Sequence, residues 1–249
     1  MDAGDYDYYN GLQEGVSTKR NALYVAALRA CAEIAKSSEH CFDKESRQFI
    51  ITESRKEGFQ QEAHAWLITQ NILPSHLLNE TSQKFKRLTG TTHNGAPLSF
   101  TPDTPGVPRV ISPIMSAFHI EAAIHSGRSQ EAEDILRKVW APMTDETSAS
   151  FTGTTWELLK KDGTPFKDDF CSYAQLFSVG PTYLLSRYVL GVEPVEAGFK
   201  KFIVSPRLEI AGLEWAQGRV PTPVGSCIEV RWQCSTSVDG ELSVIVPGD

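Results

Sequence analysis

"SPIMSAFHIEAAIHSGRSQEAEDILRKVWAPM", residues 112–143, reads as two helices folded back on each other. Ser112 and Pro113 form a helix start: a small polar cap, then a proline whose missing N–H is unneeded in a first turn. Gly127 ends the first helix. Ser129 can cap the second, and Pro142 is expected to stop it, because proline cannot donate to the preceding turn. Two helices joined by so short a loop form an antiparallel hairpin.

The same grammar recurs on both sides. "NALYVAALRACAEIAK" sets Leu23, Ala27, Ala30, Cys31 and Ile34 on one stripe and predicts a helix over residues 21–35. "QQEAHAWLITQNI" does so with Ala63, Trp66, Leu67 and Gln70 or Asn71, and Pro74 follows as a stop. "PTYLLSRYVL" predicts a last helix from Pro181 to Gly191. Residues 89–109 and 144–170 interrupt the helices as long loops, a length that usually marks function or disorder. After Gly198 the period changes to two. "KKFIVSP", "LEWAQGRVP", "SCIEVRWQCST" and "GELSVIVPG" read as at least four antiparallel strands. Ile228, Val230 and Trp232 fall on one face, and Glu229, Arg231 and Gln233 on the other.

The 249 residues carry a formal net charge of −7, with 41% hydrophobic and 22% charged residues. That balance fits a globular chain and argues against nucleic acid or an anionic membrane as partner. No apolar run is long enough for a membrane span, and the acidic N-terminus has no signal-peptide core. The five cysteines form no C-x-x-C pair, which with the missing export signal predicts a cytoplasmic protein. No cofactor or metal is expected: phosphate-binding glycine loops and H-E-x-x-H are absent, and His119 and His125 point to different helix faces.

The chemical lead is carboxylates beside aromatics. Asp5 and Asp7 flank Tyr6 and Tyr8, Glu62 lies near Trp66, and Asp168 and Asp169 precede Phe170. In "SFTGTTWELLKKDGTP", residues 150–165, Glu157 follows Trp156 directly. This stretch has two readings. One is a helix start, with Thr154 or Thr155 as cap and Glu157 at the positive end of the dipole. The other is an acid/base carboxylate beside an aromatic wall. Glycoside hydrolysis needs two such carboxyls, roughly 6.5–9.5 Å apart for inversion and about 5 Å for retention.

In order, "SPIMSAFHIEAAIHSGRSQEAEDILRKVWAPM", "GTTWELL", "FSVGPTYLLSRYVLGVEPVEAGFKKFIVSPRL" and "LEWAQGRVPTPVGSCIEVRWQ" resemble the C-terminal part of an α-L-rhamnosidase, a six-hairpin glycosidase. "GVSTKRNALYVAALRACAEIA" and "GFQQEAHAWLI" resemble earlier helices of its catalytic domain. The resemblance implies a mainly α chain with a β domain: a partial six-hairpin toroid over residues 1–197, then a small antiparallel β-sandwich over 198–249. It implies inverting hydrolysis of terminal α-L-rhamnosides, with Glu157 as general base and Trp156 lining the sugar pocket. Tyr173 and Gln175 join the substrate-binding residues, standing where relatives tend to carry histidine. About half the toroid is expected to be absent, and no residue matches the family's general acid. The alternatives are a degenerate relative kept for binding or scaffolding, and an acid/base enzyme of small-molecule biosynthesis. The expected partner is a glycoside or an apolar small molecule, with self-association through the open toroid face as a further possibility.

Overall fold

The computed structural model describes residues 5–7, 11–13, 42–43, 45, 48–49, 59–70, 75–88, 92–101, 109–166, 171–207, 210–223, 225–234 and 240–246. The helix expected over 21–35, the residues Tyr8, Asp168, Asp169 and Phe170, and parts of both long loops lie outside these. The chain divides into two units, residues 1–48 and 49–249. In the first, Asp5–Asp7 pairs antiparallel with Gly11–Gln13. The second unit holds the described helices and the three-stranded sheet.

Its described residues hold five α-helices: α1 Gln61–Thr69, α2 Ser75–Leu88, α3 Pro113–His125, α4 Ser129–Thr144 and α5 Gly180–Leu184. The central hairpin is α3 with α4, as its sequence predicts. Pro113 opens α3, and the chain turns at Gly127, whose positive φ of 67° suits glycine. Arg128 rather than Ser129 occupies the cap of α4. Pro142 does not stop α4, which continues to Thr144. Proline at 142 strips the Lys138 carbonyl of its helical donor, and the Asn94 side chain replaces it, its Nδ2 donating to Lys138 O at 3.2 Å.

α1 forms where expected, but its buried face is Gln61, His64, Ala65 and Ile68, and Trp66 is turned outward against Phe118 at 4.9 Å. The expected stripe through Ala63, Trp66 and Leu67 misses by a fraction of a turn, because the buried face carries two polar residues. α2 went unpredicted for a similar reason. Its inward positions include Thr81 and Ser82 beside Phe85, a weak apolar signal. The last helix is α5 followed by a π-helical turn, Leu185–Val189.

Among the strands, β1 Phe59–Gln60 pairs with β2 Phe100–Thr101, and β3 Val192–Pro194 with β4 Phe202–Val204. A three-stranded antiparallel sheet follows: β5 Trp215–Pro221, β6 Cys227–Cys234 and β7 Gly240–Ile245, with β6 central. Ile228 and Val230 face inward and Arg231 outward, as the alternation predicts. Helices followed by a small antiparallel β region are therefore the architecture.

One core joins α3, α4, Trp156, Leu159, Leu184 and Tyr188. Each such side chain contributes about 1.5–3 kcal/mol by leaving water. A second core, with Leu190, Val192, Val220, Ile228 and Val230, lies under the sheet. Trp232 ties the two, its indole N–H donating to Val189 O at 2.7 Å. Gly180 lets α5 approach α3, since a Cβ there would sit 2.8 Å from that of Ala117.

Candidate functional site

After α4 the chain makes a tight turn. Ser148 N–H donates to Asp145 O at 3.0 Å, and the Asp145 carboxylate accepts from Thr147 N at 3.0 Å and from its hydroxyl at 2.6 Å. These bonds hold the Asp145 carboxyl below the usual carboxylate range, the Thr147 hydroxyl contributing most.

Residues 154–159 then run between two neighbouring segments. Leu159 exchanges both backbone bonds with Ile111 at 2.9 Å. On the other side Glu157 N–H donates to Ser172 O at 2.9 Å, and Gln175 N–H to Thr155 O at 2.8 Å. The Thr155 hydroxyl donates to Gln175 O at 2.9 Å, and the Thr154 hydroxyl to Tyr173 O. No helix starts at Thr154 or Thr155. That reading fails because the backbone groups a helix would use are taken by residues distant in sequence.

The tryptophan and the carboxylate beside it meet different surroundings. Trp156 goes into the core, 1% exposed, its indole N–H donating to the Thr152 hydroxyl at 2.8 Å. Glu157 is half-buried. Its Oε2 accepts from Ser172 N–H at 2.8 Å, which fixes the carboxylate against the 171–178 segment.

Thr155 and Gln175 form the polar edge of a cavity of about 590 Å³. Its apolar wall includes Trp140, Met143, Phe151 and Leu176. Trp140 is set by its indole N–H, which donates to Ser178 O at 2.8 Å. Of the residues expected to bind substrate, Gln175 lines this cavity. Tyr173 is half-buried against the main core, and Trp156 lies within it. Among the described residues lining the cavity, Glu146 is the one titratable side chain, and sequence reasoning did not single it out.

A buried polar network behind the hairpin was also missed. His119 is fully buried between α1, α2 and α4, its ring stacked on Phe85 at 3.8 Å. Gln61 Nε2 donates to His119 Nδ1 at 3.1 Å, so the proton sits on Nε2 and is donated to Glu131 Oε1 at 2.9 Å. Glu131 Oε2 accepts from Arg128 at 2.6 Å, and Arg128 also donates to Ser82 O at 3.1 Å. Burial holds the His119 pKa below its ordinary value, despite the opposing pull of Glu131. A histidine and a glutamate twelve positions apart on successive helices give no short sequence motif, so only the folded hairpin reveals the pair.

Among the described residues no cluster of three His, Cys, Asp or Glu side chains is placed to hold a metal, and no helix is long and apolar enough to cross a membrane.

The bacterial alpha-L-rhamnosidase C-terminal domain matches residues 191–249. An alpha-L-rhamnosidase of Alteromonas sp. (strain LOR) is 48% identical over 59 residues, which are 24% of this chain and 6% of that protein. The fold is that of the GH78 family rhamnosidase of Bacillus sp. GL1, with a TM-score of 0.64 at 21% identity over 88% of this chain and 22% of that one. The alpha-L-rhamnosidase of Streptomyces avermitilis, solved with L-rhamnose, gives a TM-score of 0.47 at 15% identity over 70% of this chain and 16% of that one. The chain thus spans only a small part of the length of these relatives. Residues 191–249 are similar to the bacterial alpha-L-rhamnosidase C-terminal domain, and the chain shares its fold with part of a GH78 family rhamnosidase.

Proposed function

We propose that the chain hydrolyses terminal α-L-rhamnosides with inversion, and that Glu157 is the base. The observation that carries this is the arrangement of Thr155-Trp156-Glu157: tryptophan buried as an anchor, threonine on the cavity wall, and the half-buried glutamate held through one oxygen by Ser172 N–H. Ser172 N–H holds one carboxylate oxygen, leaving the other to take a proton from water attacking the anomeric carbon. Gln175 offers an amide to the sugar hydroxyls, while Trp156 and Tyr173 support the two segments from behind. Turnover of a chromogenic aryl α-L-rhamnoside by the 249-residue chain, abolished in Glu157→Gln, is the expected result. Turnover that survives the substitution removes Glu157 from the mechanism.

A second reading draws on the apolar wall. Trp140, Met143, Phe151, Ala174, Leu176 and Val179 outnumber the five polar side chains lining the cavity, and Leu176 is 81% exposed. Such a surface also suits an apolar small molecule held without hydrolysis. Saturable binding of an apolar aromatic probe by a chain that turns over no rhamnoside would select it.

A further inference from the structure

We propose that the solvent face of the C-terminal sheet binds an uncharged saccharide, with Trp215 as a stacking platform and Gln217, Arg231 and Ser243 as a hydrogen-bonding row. The face follows from the alternation of the strands. Even-numbered side chains of β5 and β6, among them Val220, Ile228 and Val230, fill the core beneath. Odd-numbered ones turn the other way, and Gln217, Arg219, Arg231, Gln233 and Ser243 are accordingly exposed.

The register lines these side chains up in rows across the strands. Gln217 and Ser243 stand on either side of Arg231, and Trp215 and Glu241 on either side of Gln233. Arg219 lies opposite Glu229, their side chains paired at 3.0 Å. Gln217, Arg219, Glu229, Arg231 and Ser243 line a cavity of about 500 Å³, a volume that suits a small ligand. Trp215 stands in the row next to it, on the same strand and face as Gln217 and about 7 Å along the strand from it. Its side chain is 53% exposed among polar neighbours. The sheet's other tryptophan, Trp232, turns inward and donates to Val189 O, so burial accounts for that ring. Burial does not account for Trp215.

The charges select the occupant. Arg219 and Arg231 share the face with Glu229 and Glu241, so acids balance bases. A nucleic acid or an acidic glycan needs a net positive surface. A protein interface needs a centre depleted of charge, and the centre of this patch is Arg231. A neutral saccharide needs neither. Its hydroxyls both donate and accept, which matches the Gln217 amide, the Ser243 hydroxyl and the Arg231 guanidinium. The C–H face of its ring covers the indole. No bond is made or broken there, so the site is independent of Glu157 and of whether the chain hydrolyses rhamnosides.

The test is affinity electrophoresis of the full chain through native gels that hold a soluble glucan, mannan, galactan, arabinan or rhamnan, with polygalacturonate and heparin as acidic comparators. Retardation by at least one neutral polysaccharide, and not by the acidic ones, is expected. Trp215→Ala and Arg231→Ala, both at exposed positions, should each weaken binding by about tenfold or more without lowering the melting temperature. Trp215→Phe keeps a ring and should lose less. Glu157→Gln should be retarded like the unsubstituted chain. Unchanged mobility in every neutral gel overturns the proposal, as does retardation by the acidic polymers alone. Retardation that survives both alanine variants places the sugar elsewhere and overturns it too. Loss of retardation in Glu157→Gln, with both alanine variants still retarded, assigns the binding to the cavity of Thr155 and Gln175 instead.

Discussion

Replacing Glu131 by alanine tests whether the buried network behind the α3–α4 hairpin holds the site's scaffold together. The glutamate is 8% exposed and serves two partners at once, the His119 ring at 2.9 Å and Arg128 at 2.6 Å. Its removal leaves a fully buried ring N–H unpaired. It also strands the Arg128 charge, whose Nε and one terminal nitrogen already have no partner. Removing one member of a buried pair costs about 3–5 kcal/mol, because the remaining charge keeps its desolvation penalty. At roughly 2–4 °C per kcal/mol for a domain of this size, melting should fall by on the order of 10 °C. The check is urea denaturation followed by tryptophan fluorescence, with Glu131→Gln as a milder variant that keeps one acceptor. The same network sets a pH dependence. With the His119 pKa lowered in the folded state, the unfolded chain takes up the proton first. This histidine's contribution is therefore present above about pH 6.5 and lost as pH falls below it. A Glu131→Ala chain within about 1 kcal/mol of the parent would refute the reasoning, and would show that Arg128 and His119 find water or other partners.

Two further substitutions probe close backbone contacts. Gly191→Ala should destabilise by more than about 3 kcal/mol by thermal melting, since φ is 81° and a Cβ would sit 2.2 Å from Pro206 N. Asn94→Ala should lower the urea midpoint by an amount equivalent to about 2–4 kcal/mol. It removes the donor to Lys138 O and the acceptor for the buried Ala96 N–H at 2.9 Å.

The α3–α4 hairpin and the strands were legible because their side chains obey one period each and their ends carry Ser-Pro and glycine. Pro142 shows where local rules stop: it reads as a helix end, yet Asn94, 44 positions away from Lys138, supplies the missing hydrogen bond. Glu157 could be picked from its resemblance and its tryptophan neighbour, but its orientation depends on pairing with Ser172 and Gln175. α2 and the true face of α1 stayed hidden because Thr81, Ser82, Gln61 and His64 turn inward. Their burial is made tolerable in part by partners on other helices, Gln61 by bonding His119 and Ser82 by giving its carbonyl to Arg128. Glu146 offers no pattern at all and becomes visible only as a member of a cavity wall.

The most direct test of the account follows the sugar released from an aryl α-L-rhamnoside by proton NMR, in the unsubstituted chain and in Glu157→Gln. The first product formed should be β-L-rhamnose, before mutarotation, and Glu157→Gln should form none. Release of the α anomer, or undiminished release by the variant, would contradict it.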